Sequence, residues 1–61
     1  MHVGREVEKF LRRTGMPPTK FGRLSVNDPR LVTDLRNGRE PGSRVTRRIV
    51  DFITANRAPA Q

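Results

Sequence analysis

Sixty-one residues bound this chain to one small domain, since a protein of this size buries only about 60% of the surface its unfolded form exposes. It has no cysteine, which excludes disulfide staples and thiolate metal sites. No apolar run exceeds two residues, so there is no candidate membrane span or secretory signal, and a cytoplasmic location is the default expectation. Thirteen Lys and Arg oppose six Asp and Glu, a net charge of +7. An excess of this sign favours a polyanionic partner over the alternative of a merely solvated surface.

Apolar periodicity argues for helices throughout. Val3, Val7, Phe10 and Leu11 recur at i, i+4, i+7 and i+8, one stripe of a first helix over about 4–14. Glu6 and Glu8 lie early in it and Arg12 and Arg13 in its last turn, each favourable to the helix dipole. Glu8 and Arg12 are also spaced to pair at i,i+4. Gly15 supplies a left-handed cap and Pro17 stops continuation.

A short second helix follows over about 18–25, started by the Pro17-Pro18 pair and framed by Phe21 and Leu24 at i,i+3, with Met16 packing back on it. Gly22 within it costs up to ~1 kcal/mol relative to Ala. A small residue at that price signals a helix crossing close by. Asn27-Asp28-Pro29 is the clearest boundary in the chain. Asn tolerates a left-handed turn, Asp is a strong N-cap, and Pro suits the first helical position. A third helix over 29–37 is therefore expected to bury Val32 and Leu35, and partly Leu31, and to close at Asn37-Gly38. After the breakers Pro41 and Gly42, Ser43 reads as the N-cap of a fourth helix over about 44–56. Val45, Ile49, Phe52 and Ile53 form its stripe, and Arg47 and Arg48 can each reach Asp51. The expected architecture is all-α, a compact bundle of about four short helices over 1–57, with a frayed tail at 58–61.

A short helix holding a small residue, a tight turn and a sharply capped helix make a helix-turn-helix unit. On these residues the chain resembles the Cro/repressor type of helix-turn-helix, also called the XRE or lambda-repressor-like family. The resemblance runs from Met16 to about Ile53. It is carried by Phe21-Gly22, the capped helix with Val32 and Leu35, Asn37-Gly38 and Pro41. It departs at the turn, where Val26 and Asn27 stand for the usual Gly and apolar residue, at Gly22 for the commoner Ala, and at Pro18, where a phosphate-binding Gln is frequent. The family's extra C-terminal helix, often used for dimerisation, has no counterpart in this sequence.

The resemblance implies sequence-specific binding of double-stranded DNA by a phage or bacterial transcriptional regulator, with helix 29–37 in the major groove. Pro29, Arg30, Thr33 and Asp34 are then the base-facing residues. Arg30 is the strongest candidate, because a guanidinium grips O6 and N7 of guanine bidentately. Asp34 either accepts from cytosine N4 or orients Arg30 at i+4. Thr19, Lys20, Arg23, Arg36, Asn37 and Arg39 are candidates for phosphate contacts, against the alternative of solvated side chains and weak surface ion pairs. Six such contacts would give log K a slope of roughly −5 against log salt. A homodimer on a palindromic site is the usual way for so small a module to gain affinity.

Two other functions compete with this reading. A small basic module that contacts an acidic protein partner would share the same core. Single-stranded RNA binding wants exposed aromatics, and the three Phe all fall on apolar stripes. Catalysis has little to stand on. The one His lies at position 2, and there is no phosphate-binding glycine loop or metal-ligand spacing, so neither metal nor cofactor is expected.

Overall fold

The computed structural model describes residues 2–56. The predicted tail at 58–61 lies outside the described residues. Four helices follow in order: α1 Val3–Thr14, α2 Pro18–Val26, α3 Leu31–Arg36 and α4 Ser43–Ala55. Among the described residues there is no strand, and no helix is long and apolar enough to cross a membrane.

Each of the two long helices buries the stripe its sequence announces. On α1, Val3, Val7, Phe10 and Leu11 are buried, and α1 packs against α4 and α3. Gly15 closes α1 in the left-handed region (φ 72°), its N–H donating to the Leu11 carbonyl. On α4, Ile49 is fully buried while Val45, Phe52 and Ile53 pack half-buried against the same core. The helices meet at three aromatic rings. Phe10, Phe21 and Phe52, from α1, α2 and α4, stand with centroids 5.3–5.9 Å apart in tilted or edge-to-face pairs, a geometry that adds to simple area burial. Met16, just before α2, packs half-buried against the core that contains Phe21.

Three local expectations are not met, two on the short helices and one at the start of α4. Leu24, read as a core partner of Phe21, is 54% exposed. The buried face of α2 runs instead through Phe21, Gly22 and Ser25, and the Ser25 hydroxyl donates to the Phe21 carbonyl at 2.7 Å. On α3 the roles of the leucines are exchanged: Leu31 and Val32 are buried, and Leu35 only half so. Ser43 does not cap α4. Gly42 occupies the cap position with no side-chain bond, and the Gly42 carbonyl accepts the Thr46 N–H directly.

Candidate nucleic-acid interface

Gly22 is the point on which the α2–α3 arrangement turns. An alanine Cβ built there would lie 2.1 Å from the Asp28 carbonyl oxygen and 3.2 Å from Leu31 Cβ. No side chain could fit between α2 and the chain entering α3. The predicted close crossing is therefore present, and its nearest partner is the Asp28 backbone. Asn27 makes the bend in the left-handed region (φ 61°), the only described non-glycine residue with positive φ. The Asp28 N–H donates back to the Gly22 carbonyl at 3.0 Å, so the turn is tied to the helix it leaves.

Asp28 does not cap α3 as expected: the N-cap position falls on Arg30 with no side-chain bond, and Asp28 closes the turn before it. Its Oδ1 accepts the Arg30 N–H at 2.9 Å, and its carbonyl accepts the Leu31 N–H at 3.2 Å. That i to i+3 bond makes Pro29 and Arg30 turn residues. The first α-type bond is Asp34 N–H to the Arg30 carbonyl, so α3 begins at Leu31, two residues beyond the predicted Pro29. It ends at Arg36, with Asn37 as cap and Gly38 at φ 87°.

Of the four expected base-facing residues, Pro29, Arg30 and Thr33 are exposed together on the turn and the outer side of α3. Asp34 departs from them. Its carboxylate is half-buried and accepts from the Arg39 guanidinium at 3.2 Å, while the Arg39 N–H donates to the Asp34 carbonyl. Asp34 thus orients Arg39, not Arg30, because the chain folds back after Gly38 and carries Arg39 to it.

Among the expected phosphate contacts, Thr19, Lys20 and Arg23 are exposed on α2 and Asn37 is exposed after α3. Lys20, Arg23 and Arg30 have no ion-pair partner among the described residues. Arg36 is held differently. Its Nε and a terminal nitrogen donate to the two carboxylate oxygens of Glu8 at 2.7 and 3.1 Å, a bidentate bridge from α3 to α1. Glu8 therefore does not serve the Arg12 pairing that local spacing suggested. Arg47 meets Asp51 at 3.9 Å as expected of an i,i+4 pair, while Arg48 makes no such contact among the described residues. Sequence reasoning missed the Glu8–Arg36 bridge because its partners lie twenty-eight residues apart.

The Arg36 hydrogen bond holds the Glu8 carboxyl below the ordinary value of 4.5, against the opposing effect of partial burial. A depressed folded-state pKa gives stability that is present above the ordinary value and lost as pH falls through the lower folded one. Thermal melts from neutral pH down to about pH 3 should therefore show an acid loss in the native chain that Glu8→Gln lacks. Superimposable acid limbs would show that the bridge contributes nothing to folding.

Compared with known proteins, the chain matches no family model, no curated protein and no solved structure.

Proposed function

We propose that this chain binds double-stranded DNA with sequence preference, using α2, the 27–30 turn and α3 as a helix-turn-helix of the Cro/repressor type. One observation carries the reading. Arg30 is exposed and unpaired among the described residues, on a turn fixed by the Asp28 side-chain bond and by the Gly22 contact. An unpaired guanidinium on a tied backbone, next to Pro29, is suited to the edge of a guanine in the major groove. Lys20 and Arg23 on α2 supply unpaired charge for the flanking phosphates, with Thr19 and Asn37 as neutral hydrogen-bond donors. Arg36 and Arg39 reach the backbone only while sharing their charge with Glu8 and Asp34. The role fits a phage or bacterial transcriptional regulator acting on nucleoid DNA in the cytoplasm, as a homodimer where the site is palindromic. Thr33 on α3, with Arg30 and Asn37 flanking it, is exposed and polar, and α3 has no exposed large apolar residue, Leu24 on α2 being the one such residue described; this favours base edges over the apolar anchors of a protein interface.

Titration against a random duplex pool, with selection of the bound fraction, tests the proposal. A defined motif should emerge. With two to four phosphates neutralised, log K should fall against log salt with a slope between about −2 and −4, shallower than six free contacts would give. Arg30→Ala should cost ~1–3 kcal/mol on the preferred site and relax one base position. Absence of any enriched motif, with tight binding to an acidic protein instead, would overturn it.

A further inference from the structure

The ion pairs divide the cations of this chain into unequal groups, and one unpaired group lies along α1. Arg5, Lys9, Arg12 and Arg13 recur on α1 at i, i+4, i+7 and i+8, and all four are exposed. They form a stripe on the side opposite the buried Val3, Val7, Phe10 and Leu11. None forms an ion pair among the described residues: Glu8 is held by Arg36, and Glu6, which lines the same groove as Lys9 and Arg13, bridges to neither. The stripe spans nine residues, eight helical steps of 1.5 Å or about 12 Å. α3 meets α1 where Gly4 lies under Leu35 and Glu8 holds Arg36, and Arg5 borders that cleft with Arg36 and Arg39, so only Lys9, Arg12 and Arg13 stand clear of α3. Lys9 and Arg13 border the groove between α1 and α4 instead, with Phe10, Val50 and Ile53 in its lining. Arg13 also lies 5.9 Å from the Phe10 ring centroid, which steadies its head without neutralising it.

We infer that this α1 stripe is a second polyanion-binding surface that holds the phosphate backbone of another DNA duplex, so that one chain joins two DNA segments. Laid along a duplex axis, its length spans three to four base-pair steps at about 3.4 Å each. The stripe itself contains no exposed large apolar residue: the one such residue on the described chain, Leu24, is on α2. A surface of charge without an apolar anchor suits a phosphate backbone better than a folded protein partner, whose binding energy concentrates in buried aromatic and apolar residues. It also lacks the apolar face that an interfacial membrane helix inserts, since that face of α1 is the core. The inference rests on DNA binding by α2 and α3, and adds a site to it.

The test is capture of a labelled duplex by a second, bead-bound duplex carrying the selected site, at protein concentrations below saturation. The native chain should capture it. The variant K9Q/R12Q/R13Q, which spares Arg5 and every residue of the α2–α3 surface, should keep its affinity and base preference for one duplex. Its capture of the second should fall about tenfold or more. R12K/R13K, which conserves charge, should capture normally and so separates charge from any effect on folding. Undiminished capture by K9Q/R12Q/R13Q would overturn the inference and point to bridging by a dimer. Binding of one duplex without capture, or stripe-dependent binding of polyglutamate but not of a second duplex, would overturn it while leaving the DNA-binding reading intact. If the native chain binds no duplex at all, that reading fails first and the inference falls with it.

Discussion

Gly22→Ala is expected to lower the melting temperature by more than about 10 °C, corresponding to a loss of roughly 2–3 kcal/mol in a domain of this size. Two effects oppose each other. Alanine in place of glycine inside a helix gains up to ~1 kcal/mol from reduced backbone freedom in the unfolded chain. Against that, the new methyl would lie 2.1 Å from the Asp28 carbonyl oxygen, far inside van der Waals contact. That oxygen cannot step aside. The Asp28 N–H is tied to the Gly22 carbonyl, its carbonyl to the Leu31 N–H, and its carboxylate to the Arg30 N–H. Relief requires α3 and its turn to move off α2 together, exposing Leu31 and Val32. The steric cost therefore wins. Gly4→Ala is the internal control: its Cβ would meet only Leu35 Cβ at 4.0 Å, an ordinary contact, so only the propensity gain remains and the melting temperature should rise. Circular dichroism melts of the two variants read both signs. Gly22→Ala melting with the native chain would mean that α2 and α3 approach each other less closely than this contact requires.

The same residue shows what the sequence could and could not reveal. A glycine inside a short helix, beside an Asn-Asp-Pro boundary, announced a close approach because helices do not carry such a cost without a reason. Gly15, Asn27 and Gly38 were legible for a related reason, since each stands where the chain needs a positive φ. Leu24 and Leu31 were not. Spacing from Phe21 favours Leu24 as a core residue, but the buried side of α2 is set by how close Gly22 draws α3. That side continues through Ser25, whose hydroxyl is satisfied within its own helix. The first turn of α3 was hidden too, because Asp-Pro opens a tight turn and an α-helix with equal ease.

Charge was legible in sum and illegible in detail. Local spacing offered Glu8 to Arg12 and Asp34 to Arg30. The fold gives Glu8 to Arg36 and Asp34 to Arg39. Both are long-range or post-helix partners, which only the tertiary arrangement brings within reach. The consequence is functional. By holding Arg36 and Arg39, these two acids leave Arg30, Arg23 and Lys20 as the unpaired cations of the α2–α3 surface, and Arg5, Lys9, Arg12 and Arg13 as those of α1. The two acids therefore shape the charge pattern as well as stabilising it.

Phe21→Ala should be the most damaging single truncation in the core, costing about 3–5 kcal/mol. A domain of about sixty residues has only a few kcal/mol of stability in hand, so the variant should be largely unfolded. Phe21 is completely buried and is the only ring of α2 in the aromatic cluster, 5.5 Å from Phe10 and 5.3 Å from Phe52. With Leu24 turned to solvent, no other large buried side chain holds α2 in place. Removing the ring would leave a cavity between α1, α2 and α4 and free α2 from the bundle. Phe52→Ala, at a half-buried position, should cost less. Phe21→Leu fills most of the volume and should cost about 1–2 kcal/mol. Denaturant titration orders the three, and a duplex titration of Phe21→Leu gives the functional reading. If α2 serves only as the platform that orients the turn, Phe21→Leu should bind its preferred site nearly as tightly as the native chain wherever it is folded. A Phe21→Ala chain that stays cooperatively folded, with native melting behaviour, would show that Phe21 is not the anchor of α2.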